Sequence, residues 1–272
     1  MIIILCLVII KSIVLDDFKY LETRTVPITC AAAVAAKRSN RPVKLTLSRE
    51  VDMTITGGRH AFLAKYDASA IVKQGSIVKL CSVDVKLYNN GGSAADLSGP
   101  VMDRALLHLD NCYFWPKFQA VGMPCKTAQA PHTAFRGFGG PQGLATCEHI
   151  IEHLAIECNM YPEDIRQQNL YQEHDVTPFG MIMDEGNAGH WNVPKMWDKI
   201  CSELQVSTKR KEIIEFNSKN KLIKRGMTVI PTKFGIAFTA KFMNQGGALV
   251  HLYTDGTGNV YKMKYLMKFN PL

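Results

Sequence analysis

The sequence predicts an α+β fold, and three observations lead to it. Leu144–Met160 carries an apolar stripe at helical spacing, and Gly57–Asn90 reads as two long strands. Helices and strands also fail to alternate in the regular βαβ order of a parallel sheet. The 272 residues are 47% hydrophobic and 21% charged, which is ordinary globular composition without low-complexity segments or internal repeats.

The first segment, "MIIILCLVII", is too short for a confident membrane span. It also lacks the basic flank and small-residue cleavage site of a signal peptide. Its Ile and Val content favours a buried strand, with a signal or anchor as the alternative. Thr25–Lys37 is alanine-rich with Pro27 near its start, so a tightly packed helix is expected. Arg41–Ser48 alternates and is expected as a strand. Two long strands should then meet in a hairpin at Lys73-Gln74-Gly75. Asn89–Gly99 is a polar loop, and Val101–Asn111 is helical with Val101, Leu106 and Leu109 inward.

The clearest helix is Leu144–Met160, where Leu144, Cys147, Ile150, Ile151, Leu154 and Cys158 form one stripe. "YPEDIRQQNL" makes a second helix with Pro162 and acidic residues at its start. Ser207–Phe216 makes a third, N-capped by Ser207. Strands are expected around Met227–Pro231 and Ala248–Tyr253, with "TDGTG" as a turn.

The net charge is +8 and the pI about 9.0. Much of the excess lies in Lys209-Arg210-Lys211 and in Lys219, Lys221, Lys224 and Arg225, which read as a solvated face. No zinc finger, RRM signature or basic heptad array accompanies them, so nucleic acid is not an expected partner. The eight cysteines are scattered with no CxxC pair. That argues against a zinc ribbon, an iron–sulfur cluster and a compact disulfide framework, and buried free thiols in a reducing compartment are the expectation. His149 and His153 share a helix face with Glu148 and Glu152 as neighbours. The pattern is not H-E-x-x-H, and an exposed polar face is the reading.

His132–Gly143, "HTAFRGFGGPQG", stands apart: four glycines, two phenylalanines and an arginine, running into a helix N-terminus. It is neither a P-loop nor a dinucleotide fingerprint. Such a loop either turns a corner or brings bare backbone, with unpaired N–H groups, up to an anionic or oxo ligand.

This segment resembles the molybdenum-cofactor domain of the xanthine dehydrogenase/aldehyde oxidase family. "RPVKLTLSREVDMTITGGRHAFLAKY", "VMDRALLHLDNCY", "CKTAQAPHTAFRGFGGPQG", "IRQQNLYQEHD" and "IPTKFGIAFTAKFMNQGGALVHLYTDG" are similar to the family in the family's order. The resemblance covers roughly Glu22 to Gly256, between a divergent segment 1–21 and a divergent tail 257–272. It implies a partial molybdopterin-binding domain of mixed sheets and packed helices. It also implies oxidative hydroxylation of hypoxanthine or xanthine toward urate, with molybdenum–molybdopterin supplying the nucleophilic oxygen and taking the electrons.

The site residues are carried over by motif. "LETR" resembles the family's "KETR", which implies that Glu22 hydrogen-bonds the purine edge. "MDRAL" resembles "MERAL", which implies that Arg104 faces the negative charge that builds on the purine. These two would be the catalytic residues. The second phenylalanine of "FRGFGG", Phe138, would stack on the heterocycle. Phe18, Arg136, Gly137 and Gly139 would contact the cofactor, with the Arg136 backbone against the metal. Aldehyde oxidases typically have apolar residues in place of Glu22 and Arg104, so a xanthine-type segment is expected. The alternatives are an aldehyde oxidase-type segment and a degenerate, non-catalytic interaction protein.

The pattern also breaks. Where the family has "GGGFGGKETR", this chain has "LDDFKYLETR", keeping Phe18 but not the glycines. The family's catalytic glutamate and second sandwiching phenylalanine fall beyond residue 272, and its iron–sulfur and FAD domains fall before this region. The expectation is therefore no xanthine turnover by this chain alone. The expected partners are a purine and the remaining domains of a homodimeric enzyme. Its expected location is cytoplasmic or peroxisomal, with no membrane association.

Overall fold

The computed structural model describes residues 21–73, 77–183, 191–235, 238–239 and 248–262. The apolar segment before Leu15, Phe18 and the hairpin residues Gln74 and Gly75 lie outside them. Helix α1 spans Leu21–Ser39. Alanine drives it, and Lys37 and Arg38 complement the helix dipole in the last turn. It starts earlier than expected, so Pro27 lies inside it. Tight packing is not found: Ala32 is buried, but Val26 and Val34 are exposed.

Arg41–Ser48 corrects the strand expectation. These residues run without strand pairing among the described residues, because alternation alone supplies no partner for the backbone. Ser48 instead caps α2 (Arg49–Thr56), its Oγ accepting from the Val51 N–H at 3.4 Å. Gly57 ends that helix at φ 82°, with its α-carbon facing the Pro131 carbonyl where a β-carbon would collide.

Strands β1 (Phe62–Lys73) and β2 (Ile77–Gly92) realise the expected hairpin arms, and β3 (Lys117–Lys126) completes a sheet of order β1-β2-β3. The third strand was not legible, since Gly122 and Pro124 break its propensity pattern. Buried positions of β2 pass from Val78 and Leu80 to Val83, Val85 and Leu87. The inward parity thus changes once, between Leu80 and Val83. The expected loop 89–99 is shorter, because β2 continues to Gly92 and α3 (Ser98–Leu106) already starts at Ser98.

Helix α4 (Gly140–Glu157) buries Cys147, Ile150 and Ile151 of the expected stripe, while Leu144, Leu154 and Cys158 are half-buried and Ala155, outside the stripe, is buried. Helix α5 (Pro162–Gln168) has proline at its first position. Helix α6 (Val193–Glu203) buries Trp197 and was not foreseen. Helix α7 (Val206–Lys219) corrects the capping residue: Gln205, at φ 48°, precedes it without a side-chain cap, and Ser207 is already helical. Met227–Pro231 is irregular rather than a strand. Strands β4 (Ala248–Leu252) and β5 (Gly258–Lys262) pair antiparallel around the TDGTG turn.

The chain divides into two compact units. The first comprises residues 1–63, 87–102 and 122–139, and the second residues 64–86, 103–121 and 140–272. In the first, Ser98 is central: its Oγ meets the His60 Nε2 at 2.8 Å, and its carbonyl accepts from Asn89 Nδ2 at 2.9 Å. In the second, the core gathers β2, α4, α5 and the turn after α3, with Val78, Val85, Cys112, Tyr113, Ile165 and Tyr171 buried. The Asn169 side chain acts as a strand partner there. It donates to the Val78 carbonyl at 2.8 Å and accepts from the Leu80 N–H at 3.0 Å.

Candidate functional site

The turn of the glycine loop, through Gly139, lies in the first unit. Gly137, Phe138 and Gly139 take φ of 91°, 50° and 93°, three consecutive residues in the left-handed region. The Phe138 N–H donates to the Phe135 carbonyl at 2.6 Å, closing the turn. Phe138 is half-buried, so part of its ring surface is open. Arg59 supports the turn from the other side. Its Nη2 donates to the Arg136 carbonyl at 2.6 Å, and its guanidinium stands 4.7 Å over the Phe135 ring. Arg59 Nη1 is buried without a hydrogen-bond partner among the described residues. A bent backbone next to an unsatisfied cationic donor suits an anionic, oxygen-rich group. Glu22 stands in the first turn of α1, in the same unit.

Arg104 lies in the second unit, near the C-terminus of α3, and is only 9% exposed. Its Nη1 donates to the Gly235 carbonyl at 2.6 Å, and its guanidinium lies 5.7 Å from the Phe234 ring centre. One turn on, His108 is 4% exposed. It donates from Nδ1 to the Arg104 carbonyl at 2.7 Å, and its Nε2 accepts from the Gly235 N–H at 3.0 Å. A carbonyl can only accept and an N–H can only donate, so these bonds require the neutral ring with its proton on Nδ1. Burial pushes the His108 pKa down to about 4, and the charges of Arg104 and Lys233 push the same way.

Residues 231–235 form a strap stitched to the segment after α3. Asn111 Nδ2 donates to the Pro231 carbonyl at 3.0 Å, and Lys233 Nζ meets Asp110 Oδ2 at 2.5 Å. Tyr171 OH donates to the same carboxylate oxygen at 2.9 Å. Burial raises the Asp110 pKa, and the Lys233 charge opposes that shift. The Phe234 ring covers Gly140 at the start of α4, leaving no room there for a β-carbon.

The exposed polar face expected on α4 is corrected at Glu148, which is buried. Its carboxylate accepts from Asn111 Nδ2 at 2.6 Å, Tyr113 OH at 2.7 Å and Arg166 Nε at 2.8 Å. Arg166, wholly buried, also pairs with Glu152. His149 and His153 are exposed, His153 meeting Tyr66 OH, and no metal-binding group of three or more ligands occurs among the described residues.

Sequence reading missed Arg59, His108 and Lys233. His108 had one legible signal, its position four residues after Arg104. Arg59 and Lys233 had none, since their partners lie 77 and 123 residues away.

The family model for the molybdopterin cofactor-binding domain matches residues 21–170, and a second model of that description matches residues 199–263. The chain belongs to the molybdopterin cofactor-binding domain family. As a member of that family it is 48% identical, over 236 residues, to the xanthine dehydrogenase/oxidase of Gallus gallus, and 46% identical to xanthine dehydrogenase 1 of Arabidopsis thaliana. Each match covers 87% of this chain and 17% of the relative. The solved aldehyde oxidoreductase of Desulfovibrio desulfuricans shares the fold, with a TM-score of 0.62 and 24% identity over 86% of this chain and 24% of that one. The expected α+β molybdopterin-binding fold is thereby confirmed, and the Arg59-supported turn fits such a cofactor. No helix among the described residues is long and apolar enough to cross a membrane.

Proposed function

We propose that this chain forms the purine-facing part of a molybdenum hydroxylase of the xanthine dehydrogenase kind. The observation that carries the reading is Arg104, a permanent cation held almost out of solvent by a backbone carbonyl. A buried guanidinium stabilises negative charge that develops on a bound oxypurine far better than an exposed one. Glu22 hydrogen-bonds the purine edge, and Phe138 stacks its half-open ring on the heterocycle. Arg136, Gly137 and Gly139 present backbone to the cofactor, the Arg136 backbone lying toward the metal, and Arg59 holds that backbone in place. The molybdenum–molybdopterin group, when bound, supplies the oxygen and accepts the electrons. Iron–sulfur and flavin domains of the full-length enzyme carry the electrons onward, and the partners are these domains and a second copy of the enzyme.

The aldehyde-type alternative draws support from the fold alone. Glu22 and Arg104 favour a polar, anion-forming substrate over an uncharged aldehyde.

The chain, purified from a host that makes molybdopterin, should carry both molybdenum and the pterin by metal analysis and pterin fluorescence. It should also bind xanthine more tightly than benzaldehyde by calorimetry. A chain that takes up the cofactor yet prefers the aldehyde would contradict the reading.

A further inference from the structure

We propose that His108 is a positioning residue that fixes the guanidinium of Arg104 through the Gly235 backbone. Its link to substrate rests on the purine reading above. Three hydrogen bonds close a ring. The His108 Nδ1–H donates to the Arg104 carbonyl, the Gly235 N–H donates to His108 Nε2, and Arg104 Nη1 donates to the Gly235 carbonyl. Gly235 is thus held at both polar ends, by the histidine and by the arginine that the same histidine anchors. The α-carbon of Gly235 faces both, for a β-carbon there would lie 3.8 Å from the His108 ring and 3.9 Å from Arg104 Nη1. The Phe234 ring packs on His108 with centroids 4.6 Å apart, so the ring cannot swing freely.

The chemistry selects histidine. The site needs a donor on one side and an acceptor on the opposite side of one rigid, neutral group, and only neutral imidazole offers both. Protonation would set N–H against N–H at Gly235 and place a third cation beside Arg104 and Lys233, whose own partner is Asp110. The low pKa of His108 keeps the ring neutral across the physiological range.

Nitrogen-15 NMR of the full 272-residue chain tests this without cofactor or purine. Long-range nitrogen–proton correlation should place the His108 proton on Nδ1 and leave Nε2 bare at pH 7. In His108→Phe, hydrogen exchange at the Gly235 amide and at the Arg104 Nη1 hydrogens should speed up roughly fivefold, matching the net worth of one hydrogen bond. His108→Asn keeps a donor for the Arg104 carbonyl but cannot reach Gly235, so its Gly235 exchange should be equally fast. It also serves if the Phe variant does not fold. A proton on Nε2, or unchanged protection at Gly235 and Arg104 in a folded variant, would overturn the proposal.

Xanthine titration separates the two readings. Where the wild type binds xanthine, both variants should weaken it about fivefold through Arg104, and an unchanged affinity would sink the positioning role. A wild type that shows the ring of bonds but binds no oxypurine refutes the pocket reading alone.

Discussion

Phe138 holds φ 50° although it is not glycine. That conformation costs an L-residue about 1–2 kcal/mol, and a half-buried ring does not recover it by burial alone. Phe138→Gly removes the strain but adds about 0.5–1 kcal/mol of chain entropy. The melting temperature should therefore shift by only a few degrees. Purine affinity should fall roughly fivefold as a stacking contact of about 1 kcal/mol disappears. Thermal unfolding alongside xanthine titration checks both halves.

His108 makes a pH prediction with a definite sign. Its folded pKa of about 4 lies below the ordinary 6.5, so the unfolded chain takes up the proton first as pH falls. The contribution to stability is complete above pH 6.5 and is lost as pH falls toward 4. The stability gap between wild type and His108→Phe should shrink by on the order of 3 kcal/mol across that window. Urea titrations at a series of pH values measure the gap, and a pH-independent gap would disprove the assignment.

At the scale of elements, α4 and α5 are joined by a buried ion pair rather than by apolar packing alone. Glu148 stands four residues after Leu144 and three before Ile151, inside the apolar stripe. A carboxylate there requires a partner, yet the sequence led to the expectation of an exposed polar face around His149, so its burial was not legible. Nor was the partner, Arg166, because helix periodicity carries no record of what faces a position from another element. Arg166→Met leaves the Glu148 carboxylate buried beside Asn111 and Tyr113, and should cost about 3–5 kcal/mol. Chemical denaturation measures that loss, and a change under 1 kcal/mol would show the pair to be dispensable.

Legibility followed the range of the interactions. Strands β1 and β2 were readable because side-chain alternation is local, and α4 and α5 because stripe and proline position are local. Arg41–Ser48 alternates equally well, yet strand structure depends on a partner that alternation cannot supply. The Pro231–Gly235 strap was hidden because its bonds run to residues more than a hundred positions away. Of the candidate site, the loop's unusual backbone was visible in its glycines. The glycines did not show that Arg59 holds the loop or that His108 and Gly235 hold Arg104.

At the scale of the whole molecule, Ile156, Met196, Ile214 and Leu222 are all exposed in the second unit. Apolar side chains in water favour association wherever they adjoin one another. The chain spans 17% of the length of its curated relatives, and the remaining domains of a full-length enzyme are the proposed cover. The isolated chain should accordingly self-associate at micromolar concentration in light scattering; a monodisperse monomer would count against a missing partner surface.

In the proposed site Arg104 faces charge on a purine. Calorimetric titration of the cofactor-loaded chain and its Arg104→Met variant with xanthine and with benzaldehyde measures what that charge contributes. The variant should bind xanthine at least tenfold more weakly, the loss expected for a buried charged hydrogen bond, while benzaldehyde binding is unchanged or improved. Equal loss for both ligands, or none for xanthine, would remove Arg104 from the pocket.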